Sequence, residues 1–327
     1  MCRPGRHRDP LLLLARDAFA VPPGEDEARK RRAAATARPY TVGLGGPSLP
    51  ATLRTVAFYV GLVFLVERLT LLAVERVAGL SPVLADARNR AVLARHVGAD
   101  FVSLAACAWL AIAERAECAD LLRHLRSLIQ SRGRDGGGGL RDADWEDRIF
   151  AYRPGAQQLM VVFFVYQVKN MYDSLYWGDG VAFLLHHVFA GAAAWGGMYP
   201  GCCHYYAFFY FGFSEASTAI LSLLANFDPD FGLVGLDAAF PATKVVLATL
   251  FVASFVVCRV LMWPVVSYHF FRDARTALRS DHPLAAGRRG YLRTIMACCA
   301  GLSLIQLVFV AMIVEHGKAE YAKLMHS

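Results

Sequence analysis

The chain has 327 residues, of which 56% are hydrophobic and only 19% charged, with a net charge of +7. Average soluble domains are roughly 45–50% apolar and about 25% charged, and here the excess is gathered in long runs, so an ordinary soluble fold is excluded. The basic residues lie mostly between apolar runs, where membrane topology explains them better than nucleic-acid binding.

Residues 1–50 are rich in Arg, Ala, Pro and Gly without a sustained apolar period, and read as a disordered basic cytosolic tail. Arg3, Arg6 and Arg8 precede Leu11–Leu14 as in a signal peptide, but Arg16 and Asp17 break the run too early, so no cleaved signal is expected. A membrane domain is expected over 51–315, followed by a short C-terminal tail, 316–327. About 20 apolar residues cross the hydrocarbon layer. About seven runs meet that need: 53–73, 97–113, 156–176, 181–198, 202–225, 242–268 and 292–314. The fold class is therefore all-α, a polytopic membrane protein. Glu67 and Arg68 make the first span the least regular.

A hydrophilic connector carrying Arg123, Arg126, Arg132, Arg134 and the Gly136–Gly139 run joins the second and third spans, with no phosphate-loop pattern. Very short linkers at 177–180 and 199–201 make spans three, four and five antiparallel neighbours. The Arg132–Arg134 loop and the Arg272–Arg289 loop fall on one side with the Arg-rich N-terminus, and the acidic 226–241 loop falls on the other. The positive-inside rule then puts the N-terminus in the cytosol.

Ionisable residues at bilayer depth cost roughly 2.5–3.5 kcal/mol each on insertion scales and mark functional cavities. The third span carries Tyr166, Lys169, Asn170, Asp173, Tyr176 and Trp177 on one face, in steps of three and four. Lys169 and Asp173 can pair at i, i+4, which also suits an ion pair closing a helix interface. Tyr176 and Trp177 equally fit a membrane-interface belt. On the fourth span, the adjacent His186 and His187 diverge by about 100°, so one faces a cavity while the other bonds a neighbouring helix. Asp179 lies near the membrane edge, placed to orient an imidazole or bind a head group. Glu215, Thr218 and Ser222 share a face of the fifth span. Arg259 of the sixth span either snorkels to the cytosolic interface or pairs with Glu215 or an anionic substrate group. Together these residues suggest one shared polar cavity. A metal would need further ligands, with only Glu215 and Asp173 at hand, and none is expected. Six of the eight cysteines lie in or beside apolar runs without a CxxC pair and read as buried free thiols.

The Tyr166–Asp173 run, Leu185-His186-His187-Val188, Phe213-Ser214-Glu215-Ala216-Ser217-Thr218 and Phe255…Arg259…Trp263-Pro264 together resemble a TLC domain. That family takes its name from translocating-chain-associated, longevity-assurance (ceramide synthase) and ceroid-lipofuscinosis homologues. The Glu215-Ala216-Ser217-Thr218 pattern is most similar to the small TLC-domain-containing proteins. The resemblance implies a helical bundle around a membrane cavity in the endoplasmic reticulum or a related endomembrane. In the ceramide synthase branch, paired histidines serve acyl transfer from acyl-CoA. Here the aspartate cluster of that branch is replaced by Gly212-Phe213-Ser214-Glu215 and its homeobox-like insert is missing, which argues against sphingoid N-acylation in particular.

Two readings follow. In the first the protein modifies lipids, as an acyl-CoA-dependent acyltransferase with His186, His187, Glu215 and Asp173 as catalytic residues. Lys169, Tyr176, Asp179 and Arg259 would then bind substrate. In the second it is a non-catalytic lipid sensor or a cargo adaptor of the endoplasmic reticulum. An ion or proton-coupled transporter ranks last, since no internal repeat is evident. No bound cofactor is expected; membrane lipids, acyl-CoA as co-substrate and a second copy of the chain are the candidate partners, and nucleic acid is not one.

Overall fold

The computed structural model describes residues 46–130, 140, 144–228 and 230–326. Most of the basic tail expected over residues 1–50, and the Gly136–Gly139 run with Arg132 and Arg134, lie outside the described residues. The regular structure described is helical throughout. The main helices are α1 (Leu49–Arg76), α2 (Ala87–Ala113), α3 (Ala119–Gln130), α4 (Trp145–Phe150), α5 (Pro154–Trp177), α6 (Val181–Gly201), α7 (His204–Phe227), α8 (Pro241–Arg279) and α9 (Arg289–His326).

Local chemistry sets several ends. Pro154 and Pro241 occupy the first helical turn, where the missing N–H costs nothing. Gly178 ends α5 in the left-handed conformation at φ 75°, the usual glycine cap. Asp86 caps the start of α2 by accepting from the backbone N–H of Arg88 and Asn89. Helix α9 runs without a break through the segment expected as a C-terminal tail.

Among the described residues, six helices are long and apolar enough to cross a membrane: α1, α2, α6, α7, α8 and α9. The expected count of about seven includes α5, whose Lys169, Asn170 and Asp173 lower its mean hydropathy. Its 24 residues nonetheless extend about 36 Å, more than the hydrocarbon thickness of about 30 Å, and it is buried among the apolar helices. It therefore serves as the polar member of the bundle.

Helices α2, α5, α6, α9, α8 and α7 pack in that cyclic order into a ring, with α1 outside it against α2 and α5. Burial follows this arrangement. In its most apolar window α1 is only 6% buried, while α7 is 61% buried. Helix α7 also touches α5 across the ring, so side chains fill the interior. The fully buried Leu159, Met160, Tyr206, Phe208, Phe209 and Phe270 form much of this core. Two close approaches tighten it: a Cβ on Gly212 of α7 would lie 2.3 Å from the Ala111 Cβ of α2, and one on Gly301 of α9 would lie 2.7 Å from the Phe189 ring of α6.

The helix order also separates the connections. The α2–α5 connector, the α6–α7 turn and the α8–α9 turn share one face, tied together where Arg288 donates to the carbonyls of Gly201 (3.1 Å) and Pro200 (3.4 Å). The α1–α2, α5–α6 and α7–α8 connections share the opposite face. There Asn89 Nδ2 donates to the Val234 carbonyl at 3.1 Å and its Oδ1 accepts from the Val234 N–H at 3.0 Å.

Candidate functional site

The interior of the ring holds a small cavity lined by Phe163 of α5, His186 and Ala190 of α6, Tyr210, Phe211 and Glu215 of α7, Arg259 and Trp263 of α8, and Cys299 and Leu302 of α9. It has room for about one water molecule. A second, similar cavity continues along the same interior past Ala193, Gly197, Cys203, Tyr206 and Phe270. Small residues repeat on one face of α6 at 190, 193 and 197, and this spacing leaves the space.

The two histidines diverge as a helix requires. His187 is buried, and its Nδ1–H donates to Gln167 Oε1 of α5 at 2.8 Å. That bond fixes the tautomer and leaves the Nε2 lone pair free. His186 lines the cavity. Its Nδ1 is buried without a hydrogen-bond partner, and its ring meets His187 edge-on at 5.5 Å and Phe309 of α9 at 5.8 Å.

Across the cavity, Arg259 Nη2 donates to Glu215 Oε1 at 2.7 Å and to Thr218 Oγ1 at 3.0 Å, while its guanidinium lies 5.2 Å from the centre of the Trp263 ring. Both charged residues are buried. Of the two fates considered for Arg259, snorkelling and pairing, the fold selects pairing. The local backbone assists: Arg259 sits in a π-helical stretch, Val256–Met262, and Glu215 follows another, Phe209–Phe213. Wider turns of this kind are frequent at functional sites.

The single shared cavity expected from the sequence divides into two clusters. Lys169, Asp173 and Asp179 are not in the ring interior. Lys169 Nζ bonds Asp173 at 2.5 Å and Glu67 of α1 at 2.8 Å, and Arg95 of α2 reaches Asp179 at 2.6 Å and Asp173 at 3.4 Å. Asn170 donates to Asp100 at 2.9 Å. These groups hold α1 and α2 against α5, so Asp173 does not orient either histidine; Gln167 has that place for His187. The physical reason is the helix face. The stripe through Lys169 and Asp173 points toward α1 and α2, whereas Gln167 and Phe163 point toward α6 and the interior. Tyr176, expected to bind substrate, is 70% exposed and stacks on Tyr172 at 6.2 Å on the outer surface. Glu67, which made the first span irregular, is the partner that Lys169 requires.

A further buried cluster was not anticipated. Arg148 of α4 reaches Asp273 of α8 at 2.5 and 3.1 Å, and the Tyr206 hydroxyl donates to the same carboxylate at 2.6 Å. Arg153 similarly bridges Glu117 at 2.9 Å and Asp147 at 2.6 Å. These carboxylates hold both guanidiniums above their ordinary range against the opposing effect of burial. Both clusters lie at the face carrying the α2–α5 connector and fasten it to the ring. Among the described residues, no group of three or more His, Cys, Asp and Glu side chains is placed to hold a metal ion.

A family model described as the TLC domain matches residues 141–315, more than half of the chain. The chain belongs to the TLC-domain family. Comparison with curated proteins and with solved structures found no significant match. The TLC domain and its apolar helices make this an integral membrane protein of a lipid-related class. The matched segment contains α4 to α8 and most of the bilayer-spanning part of α9. Helix α2, which precedes it, completes the ring.

Proposed function

We propose that this TLC-domain protein handles membrane lipids through the ring interior, and that its chemistry is acyl transfer centred on His186. The observation that carries the reading is an imidazole lining a small interior cavity, with Nδ1 buried and unpartnered, beside a buried ion pair. An imidazole lone pair that no protein donor occupies is free to act as a base or a nucleophile. As nucleophile it attacks the acyl carbonyl of an acyl thioester. The carbon–sulfur bond breaks, and the imidazole proton leaves with the thiolate as free thiol. A lipid hydroxyl or amine then attacks the acyl-imidazole, its proton returns to the ring, and the acyl–nitrogen bond breaks. His187, fixed by Gln167, holds its neighbour in place by edge contact. Glu215 and Arg259 keep a fixed dipole across the cavity at no reorganisation cost during reaction.

The proposed location is the endoplasmic reticulum or a related endomembrane, with the connector carrying Arg123, Arg148 and Arg153 in the cytosol by the positive-inside rule. Support for the organelle comes from the family resemblance alone.

A second reading has its own observation. The cavity has room for about one water rather than for an acyl chain, which suits a lipid sensor or adaptor that admits only part of a ligand. One experiment separates the two. Membranes containing the wild type, His186→Ala or His187→Ala are given labelled fatty acyl-CoA, and all labelled lipids are profiled. Acyl transfer predicts a product made by the wild type, lost in His186→Ala and reduced in His187→Ala. Identical profiles from folded, membrane-inserted proteins overturn it in favour of the sensor.

A further inference from the structure

Helices α6 and α9 run antiparallel, and three contacts set their register. A Cβ on Gly196 would meet Ile295 at 3.1 Å, one on Gly301 meets Phe189, and Phe309 packs against both Phe183 (5.5 Å) and His186. Position 306 is therefore level with His186. Gln306 also lies four residues after Leu302, which lines the cavity, and so shares its face. The residue is only 5% exposed, and its Oε1 is buried with no hydrogen-bond donor. Two buried polar atoms on facing helices, His186 Nδ1 and Gln306 Oε1, are thus left without partners at one level of the bundle. A buried acceptor without a donor is costly enough that such groups are rarely left unmatched.

The charge around them is balanced. The charged residues lining the cavity, Glu215 and Arg259, are paired with each other at 2.7 Å, leaving no net charge to meet an ionic ligand. An ammonium or a phosphate placed there would be an uncompensated charge at bilayer depth. The available space is that of one water, which is also the size of a hydroxyl group and smaller than a phosphate. His186 as a residue is half-buried and lies on the α6–α9 seam, where Leu185 and Val188 face outward at 43% exposure each, so the site is reached from the lipid phase.

We propose that His186 and Gln306 form a recognition site for the hydroxyl of an uncharged lipid headgroup, with the hydroxyl donating to Gln306 Oε1 beside the His186 ring, and that lipids with a cationic or phosphate headgroup are excluded. The proposal names the acceptor class for the acyl-transfer reading and rests on that reading only for turnover; binding stands apart from it.

The test is photolabelling of the purified full-length protein in nanodiscs, without any acyl donor. Three probes carry the same diazirine-bearing chain: a monoacylglycerol, a lysophosphatidylcholine and a long-chain primary amine. The wild type labels most strongly with the monoacylglycerol, at sites on α6 and α9. Gln306→Leu reduces that labelling about tenfold, the loss of one buried hydrogen bond. Gln306→Glu, which places a carboxylate at the same level, moves the preference to the amine. Equal labelling by the three probes, or unchanged labelling in a folded Gln306→Leu protein, overturns the proposal; the latter would assign Gln306 a merely structural role. Selective monoacylglycerol labelling with no acyl product removes acyl transfer and leaves this site standing. An acyl product whose acceptor is a charged amine does the reverse.

Discussion

The Glu215–Arg259 pair gives the most exacting test of how the ring interior is held together. Each partner is buried, and each stabilises a charge that the apolar surroundings would otherwise reject. Removing one member of such a pair costs about 3–5 kcal/mol, whereas replacing both by apolar residues of similar volume is often nearly neutral. The two single losses are not equivalent here. Glu215→Gln leaves Arg259 its Thr218 hydroxyl at 3.0 Å and the Trp263 ring at 5.2 Å. Arg259→Met leaves Glu215, among the described residues, with the Ser214 hydroxyl at 3.4 Å, whose proton is already directed to the Tyr210 carbonyl at 2.7 Å, and also removes the cation from the Trp263 face. Arg259→Met is therefore expected at the upper end of the range and Glu215→Gln at or below the lower end. With about 2–4 °C per kcal/mol for a domain of this size, Arg259→Met should lower Tm by on the order of 10 °C. The Glu215→Leu/Arg259→Met double variant should return to within a few degrees of the wild type. The assay is a temperature series on the full-length protein in one detergent, followed by the loss of monodisperse protein on size exclusion. A double variant as unstable as the sum of its singles would refute the reasoning, because the two side chains would then contribute independently.

Two further outcomes follow from packing and burial. Gly212→Ala must displace Ala111, whose Cβ would lie 2.3 Å from the new methyl, or Leu159 at 3.3 Å, and should cost about 1–3 kcal/mol. Gly61→Ala on the peripheral α1 meets nothing within 4 Å and should be neutral or stabilising in the same thermal assay; equal losses at both positions would contradict the ring. Burial pushes the Cys118 thiol, which lies outside the spans, up to about 12, with Asp120 and Glu117 adding to the shift and Arg153 opposing it. Its reactive thiolate is gained only as pH rises toward that value, so at pH 8 roughly one molecule in ten thousand carries it. Residue-resolved alkylation at pH 8 should leave Cys118 unmodified in the native protein and label it after denaturation. Native labelling at the rate of a free thiol would place it at the surface.

The division between what was legible in the chain and what was not can be traced residue by residue. Apolar run length set the spans: the run expected at 181–198 is the helix Val181–Gly201, and that at 156–176 is Pro154–Trp177. The 100° step along a helix required His186 and His187 to part, and they do. The i, i+4 spacing of Lys169 and Asp173 predicted their bond. Gln167 and Gln306 each stand out as polar inside an apolar run, but an uncharged amide lacks the large insertion cost that marks an ionisable residue as functional. The Arg148–Asp273 bond joins residues 125 positions apart on α4 and α8, and no local spacing announces it.

By itself, then, the sequence determined that the protein is an all-helical membrane protein, roughly where each helix crosses, and which residues share a face of each one. Periodicity acts within a single helix and fixes those things independently of any neighbour. Which face meets which helix depends on how all the helices pack, and only the tertiary structure decided it. Packing sent Lys169 and Asp173 outward to Glu67 and Arg95, kept Arg259 inside with Glu215, and set Gln306 level with His186, because a buried charge or amide is stable only beside the partner that the closed ring supplies.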